Sequence, residues 1–406
     1  MKNGIKRNKV VAVMTEIVIA SGMRTPFGDF GKSLRDVPLI ELGAHAARAT
    51  MERGGLAAER IDHLVWGNVL PVDQEGYLAA RAIALKAGLS DVSTAMNVNR
   101  ACGSGLQAII SAAEHIASGH SQLALAGGGE NFSRAPYIVT GARWGVKRGP
   151  QIMIDALDWT YRDPLSLELM GETAENLAED YQYTREAMDE FALTSQRRAG
   201  AAADSGFLAR QIAPIDVPDG RAKRSFDKDE FPRPTIAPEK IASMKPVFRE
   251  GGRVTPANSS GVTDGAAFIV VAQRGAAEAA GVRPRARIVD YAIAGVPPRI
   301  MGCGPVPATR KLLERQNLKI SDIDYFEVNE AFASVNLHAE AQLGVPRDAT
   351  NLYGGGISIG HPPGATGVRM AITALQHLED VNGHRAVLTL CMGGGQGLSV
   401  LIERIA

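Results

Sequence analysis

The sequence carries no surplus of charge: lysine plus arginine number 44 and aspartate plus glutamate 44 among 406 residues. A chain without a net field has nothing to draw in nucleic acid or an anionic membrane surface, so neither is expected as a partner. Cysteine is scarce, with three residues (Cys102, Cys303, Cys391), an odd number in a chain with no convincing secretory leader. That excludes a disulfide framework and points to reduced thiols and a cytoplasmic location. No run reaches the ~18 to 20 uninterrupted apolar residues that span a bilayer. The start, "MKNGIKRNKVVAVMTEIVIASG", places basic residues before "VVAV", a run too short for the core of a signal peptide and without a clear cleavage site. Residues 1–14 are read as a loose leader, Met14 as a candidate original start, and folded structure is expected from about Thr15.

With 45% hydrophobic residues, a chain of this length exceeds one usual domain and can bury a large core. Strand-like "IVIAS" and "HLVWGNVL" alternate with helix-like "IELGAHAARATMERG" and "GYLAARAIALKAG", the pattern of an α/β sheet with crossover helices. From Glu130 to Arg253 the texture changes to charged helices and a Pro-rich charged segment, which reads as a loop domain inserted into the scaffold. The expected division is an N-terminal half over 15–129, the insert over 130–253, a return to the first half over 254–283 and a C-terminal half over 284–406.

The two ends of the scaffold echo each other. "CGSG" is followed by "LQAIISAAEHIASG" and strand-like "QLALAGGG"; "HPPGATG" is followed by "VRMAITALQHLEDVNG" and "AVLTLCMGGG". Leu106, Ile109, Ile110 and Ala113 share one helical face, as do Val368, Ala371, Ile372 and Leu375. The expectation is a duplicated half with two central helices between two sheets, which brings equivalent points of the halves together.

Those points hold the reactive residues. Cys102 precedes "GSG" at a helix start, where unpaired N–H groups and the helix dipole favour an anion, so a thiolate is expected there. Taken alone, it is equally a buried core thiol. His361 stands among small and turn-forming residues in "YGGGISIGHPPGATG" and is expected on an exposed turn. Cys391 ends a strand before "MGGGQG", where glycines let N–H groups approach a ligand. Asn329 follows the strand-like "YFEV", at the carboxyl end where α/β sheets place ligands, although capping of a helix is an equal use of it.

These four motifs together resemble the thiolase family of acetyl-CoA acyltransferases, over the chain from about Thr15 to its C-terminus. The resemblance implies a five-layer αβαβα core with an inserted, CoA-binding loop domain. It implies Cys102 as acylated nucleophile, His361 as its activator, and Cys391 as general acid/base. Asn329 would hold a water in an oxyanion hole to which His361 also donates, and the N–H groups of Cys102 and Gly393 would form a second hole. The implied activity is reversible CoA-dependent cleavage of a 3-ketoacyl-CoA, or condensation of two acetyl-CoA, the chemistry of fatty-acid and lipid metabolism. No tightly bound cofactor and no metal are implied; coenzyme A and acyl-CoA are substrates.

Just after the insert, Ser260 of "RVTPANSSGVTDGAA" matches a residue against the pantetheine, with Pro256 and Ala257 where Ala and Gly are common in the family. Arg233 corresponds to an arginine near the adenine, Phe248 to a pocket wall, and Met170 and Met301 to the lining of a short acyl pocket. Leu169 stands where short-chain members often have histidine, which weakens a strict acetoacetyl-CoA assignment. Cys303 is assigned to packing. The family implies a homodimer or homotetramer, with "RAPYIVTGARWGVKRG" a candidate assembly loop. The readings from other classes are a decarboxylating condensing enzyme of the same fold, against which Cys391 and "NEAF" argue, and a noncatalytic CoA binder whose glycine turns hold phosphate.

Overall fold

The computed structural model describes residues 16–146 and 148–405, so the leader expected over residues 1–14 lies outside the described residues, as does Lys147 of the assembly loop. In chain order the main elements are β1 (Ile17–Arg24), α1 (Leu39–Gly54), β2 (His63–Gly67), α2 (Ala79–Lys86), β3 (Thr94–Val98), α3 (Ser104–Ala117) and β4 (Leu123–Glu130). The inserted region contributes α4 (Met170–Asp180), α5 (Arg185–Asp204) and a hairpin of Ile215–Asp219 with Ala222–Phe226. The scaffold resumes with β5 (Thr263–Gln273), β6 (Ala286–Gly295), α6 (Pro305–Gln316), β7 (Tyr325–Val328), α7 (Ala333–Leu343), α8 (Pro363–Asp380), β8 (Arg385–Met392) and β9 (Gln396–Arg404).

Side-chain alternation along the strands explains the layers, because successive residues point to opposite faces. Ile17 and Ile19 of β1, with Ala267, Ile269 and Val271 of β5, join a cluster that also takes Leu388 and Leu390 of β8 and Val400 and Ile402 of β9. Both sheets turn that face toward α3 and α8. The alternate residues Val18, Ala266, Phe268 and Val270 pack outward on α1 and α2, while Val387 and Leu401 pack outward on α6. The order helix, sheet, helix pair, sheet, helix follows. The two sheets are not separate: β1 and β6 pair through Val18–Arg287 and Ile19–Ala286, giving one ten-stranded sheet whose nine-strand path is β7-β8-β9-β6-β1-β5-β4-β2-β3, with the short strand Gly28–Asp29 on β5 as the tenth.

The two central helices differ in burial. α8 is buried from Pro363 to Leu378, as a helix apolar on all sides should be, whereas α3 leaves Ala113 half-buried and Glu114 exposed. Glycine allows their N-termini to touch. A Cβ at Gly105 would stand 2.6 Å from the Gly364 carbonyl oxygen, and one at Gly367 would stand 2.3 Å from the Leu106 nitrogen. This backbone crossing is what sets Cys102 and His361, one just before each helix, side by side.

The insert is sewn into the scaffold. Arg24 of β1 holds Asp229 through two hydrogen bonds of 2.6 and 2.8 Å with both side chains buried, and Ala199 and Ala202 of α5 enter the central cluster.

Candidate active site

Cys102 sits after β3 on a turn whose preceding residue, Ala101, has φ +45°. A non-glycine residue there costs on the order of 1–2 kcal/mol, so the turn must be held from outside. Asn99 Oδ1 accepts the Ala101 N–H (3.0 Å), and the Ser104 hydroxyl donates to the Ala101 carbonyl (2.7 Å) while accepting the Arg100 N–H (2.9 Å). The turn aims the half-buried Cys102 into a cleft lined also by Val69, Phe132, Tyr161, Met301 and His361. Its thiol, however, is pushed up to about 11 by burial, with the negative field of Glu130 adding to this and the N–H groups of Gly393 and Cys102 itself opposing it. The thiolate expected from the helix start is therefore corrected: at rest the group is a neutral thiol, because desolvation outweighs the backbone donors.

His361 also departs from expectation. It is buried, not on an exposed turn, because the glycine-rich segment before it packs against α5 and the segment returning from the insert, where the His361 N–H donates to the Gly261 carbonyl (3.1 Å). Its Nδ1 lies 2.7 Å from the Thr366 hydroxyl, which lies 3.0 Å from the Pro362 carbonyl. The hydroxyl has one proton, and giving it to Pro362 makes Nδ1 the donor and leaves a lone pair on Nε2. Nε2 faces Asn329 Nδ2 at 3.4 Å. Burial, with the Arg369 charge second, lowers the imidazole to about 3, so it too is neutral at rest.

Asn329 follows β7 and is buried; its Oδ1 has no protein partner. Cys391, near the end of β8, is fully buried and its thiol is pushed well up by burial and by the neighbouring Cys102. Beyond it, Gly393 lines the same cleft as Cys102, and its N–H is one of the groups that oppose the upward push of burial on the Cys102 thiol. Cys391 and Asn329 stand behind the cleft wall, whereas Cys102, His361 and Gly393 form part of it.

Of the other sequence candidates, Met170, Met301 and Ser260 line the same cleft, a volume of about 790 Å³ including its open mouth. A second cavity is lined by Phe248, Ser259 and Leu169 and shares Tyr161, Met170, Ser260 and Phe332 with the first, so the two form one channel. Arg233 is not brought to this channel. It lines a separate depression with Ile236, Met244, Pro256 and Ala257, and its guanidinium donates to the Glu230, Phe231 and Pro232 carbonyls (2.6–2.9 Å). Cys303 is buried among α4 and α7 side chains.

Two buried carboxyls frame the site and were missed in the sequence. Glu130, the last residue of β4, accepts the Val69 N–H (2.7 Å), the Asn68 amide (2.8 Å) and the Gly364 N–H (3.2 Å), tying the first turn of α8 to the opposite half; burial pushes it up to about 8. Glu330 accepts the Ser195 hydroxyl (2.6 Å), the Asn351 amide (3.1 Å) and the Ile357 N–H (3.2 Å), joining α5 to the segment that carries His361; burial pushes it up to about 7. An acidic residue inside the apolar, glycine-rich "GGGENF" and "NEAF" was the available signal, since such a carboxyl needs several donors to be buried. Among the described residues no cluster of three or more His, Cys, Asp or Glu is arranged to hold a metal ion, and no helix is long and apolar enough to cross a membrane.

Residues 17–275 match the family described as "Thiolase, N-terminal domain" and residues 282–404 match "Thiolase, C-terminal domain". The chain is 43% identical to Beta-ketothiolase BktB of Cupriavidus necator, covering 96% of this chain and 99% of the relative. It is 42% identical to an acetyl-CoA acetyltransferase of Escherichia coli, covering 97% and 100%. Among solved structures, human mitochondrial 3-ketoacyl-CoA thiolase superimposes with a TM-score of 0.94 at 38% identity, covering 97% of this chain and 100% of that one.

Proposed function

The chain belongs to the thiolase family and is an acyltransferase; from that premise we propose that it cleaves 3-ketoacyl-CoA with CoA, and condenses acetyl-CoA in reverse, through an acyl thioester on Cys102. The observation that carries this reading is the meeting of Cys102, His361 and the Gly393 N–H on one cleft that continues into a channel lined by Phe248 and Ser260.

With both groups neutral at rest, the Cys102 proton passes to His361 Nε2 as the sulfur attacks the keto carbon. The oxyanion formed there is stabilised by the N–H groups of Cys102 and Gly393, donors that need no reorganisation. The bond between C2 and C3 then breaks, leaving acyl-Cys102 and an acetyl-CoA enolate. The enolate oxygen is stabilised by the His361 Nε2–H and by Asn329 through a water, and Cys391 gives its proton to C2. A second CoA passes its thiol proton to the Cys391 thiolate and attacks acyl-Cys102, releasing the shortened acyl-CoA, and the freed Cys102 sulfur takes its proton back from His361 Nε2. In reverse, Cys391 removes the methyl proton of acetyl-CoA and the enolate attacks acetyl-Cys102. A base of thiolate strength suits a carbon acid better than a carboxylate does, and a covalent intermediate predicts ping-pong kinetics.

The pantetheine arm would run past Ser260 and Phe248, with the adenine end at the depression of Arg233. A solved structure of human mitochondrial 3-ketoacyl-CoA thiolase in complex with CoA, 37% identical to this chain, supports CoA as substrate here. A homodimer or homotetramer is supported by the sheet edge at β3, flanked by exposed Val92 and Tyr77, and by the assembly loop, where Trp144 is 84% exposed. Three free thiols support a cytoplasmic location.

The test is CoA-dependent loss of acetoacetyl-CoA absorbance under reducing conditions, followed by a kcat/KM series over acyl chain lengths. CoA binding without turnover of any 3-ketoacyl-CoA would overturn the reading and favour a CoA binder.

A further inference from the structure

The turn that carries Gly393 consists of three consecutive glycines between β8 and β9, with Gly394 at φ +81° and Gly395 at φ +76°. Lacking side chains, such a turn is oriented only by its backbone bonds. On one side the ladder pair Met392–Gln396 ends β8, and the Val296 N–H donates to the Gly395 carbonyl at 2.8 Å. On the other, the Gly394 N–H donates to Oδ2 of Asp163 at 3.0 Å. Asp163 is wholly buried, and its Oδ1 accepts the Leu165 and Ser166 N–H groups at 2.9 Å each. Its loop is closed by bonds from the Asp163 N–H to the Glu168 carbonyl and from the Met170 N–H to the Tyr161 carbonyl, both 2.8 Å. The Oδ1 contacts are local and would shape this loop by themselves. The Oδ2 contact is different, because it leaves the loop and crosses to the glycine turn.

We infer that Asp163 is a positioning residue for the oxyanion donor of Gly393, an inference that rests on the thiolase reading. With β8 fixed before Gly393 and the following peptide fixed by the Asp163 carboxyl, the Gly393 N–H is held in its place on the cleft that Cys102 also lines. The same loop supplies Tyr161, Arg162 and Pro164 to the cleft wall, so the acyl-pocket wall and the oxyanion donor move as one body. A sequence alone gives Asp163 no such role, since it lies 231 positions from the residue it holds.

The test is Asp163→Asn in the full chain. Two N–H groups keep the amide oxygen on the Leu165 side, which turns the amide NH₂ toward the Gly394 N–H, donor against donor. For acetoacetyl-CoA thiolysis, kcat should fall about 10- to 100-fold, less than the ~100- to 1000-fold seen when an oxyanion donor is removed outright. KM should stay within about twofold and the unfolding temperature within a few degrees. Iodoacetamide alkylation of Cys102, followed by peptide mass spectrometry without any acyl-CoA, should shift its pH profile upward by about half a unit to one unit, because the Gly393 N–H favours the thiolate. Asp163→Ser, which can still bond the Leu165 side but is too short for Gly394, should show the same two effects and serves if the Asn variant does not fold. A wild-type kcat and wild-type alkylation profile in either folded variant would overturn the inference. So would a loss of kcat with an unmoved alkylation profile. If the wild type itself has no turnover, the thiolase reading fails, and the alkylation shift alone then decides the Asp163 contact.

Discussion

The Nδ1 of His361 and the hydroxyl of Thr366 are 2.7 Å apart, one helical turn into α8, and this bond determines which imidazole nitrogen is free to take a proton. The histidine is buried, so its orientation is not averaged by solvent. Thr366→Ala leaves a buried N–H without a partner and releases the tautomer. We expect a loss of about 1–3 kcal/mol in stability and at least tenfold in kcat, while Thr366→Ser restores most of both. Denaturation midpoints and steady-state rates on the three proteins check this; equal rates in Ala and Ser variants would show that the hydroxyl does not direct the proton.

The two active-site thiols should separate by function. Cys102→Ser should form no acyl-enzyme. Cys391→Ser should still accept an acetyl group on Cys102 from acetyl-CoA, to a reduced extent, and should not condense it. Intact-chain mass spectrometry after acetyl-CoA exposure measures this, and acetyl label found on Cys391 would reverse the assignment.

Glu330 links the His361 segment to the insert, and its folded-state value of about 7 lies above its ordinary 4.5. Between these values the folded protein binds a proton that the unfolded chain does not, so the stability from this group is present below about pH 4.5 and is lost as pH rises through about 7. Glu330→Gln should flatten the fall in unfolding temperature between pH 5 and 8 by an amount worth on the order of 2 kcal/mol. An unchanged pH slope would remove Glu330 from the linkage.

The crossing of α3 and α8 should not tolerate a methyl group. Gly105→Ala forces backbone apart at the Gly364 carbonyl and should cost about 1–3 kcal/mol or more, lowering the unfolding temperature and activity together. Gly295→Ala, where a Cβ meets nothing within 4 Å, should stay within about 0.5 kcal/mol of wild type. Equal unfolding temperatures for the two variants would contradict the close approach.

Much of the architecture was legible because it is written in local periodicity. The runs "LQAIISAAEHIASG" and "VRMAITALQHLEDVNG" became α3 and α8, and alternating apolar residues in β1, β5, β8 and β9 determined which faces meet in the core. The motifs around Cys102, His361, Asn329 and Cys391 stand out in the sequence for the same reason: each lies beside glycines or at a strand end, a signal contained within a few residues.

What the sequence determined by itself was therefore the duplicated layers and the family. The tertiary structure alone decided the state of the groups in the candidate site. Burial turned the expected thiolate of Cys102 into a neutral thiol and the exposed-turn His361 into an enclosed, neutral base, since desolvation is a property of everything packed around a group and not of its neighbours in the chain. It also decided the partners of Glu130, Glu330 and Asp163, which lie tens to hundreds of residues away in the chain.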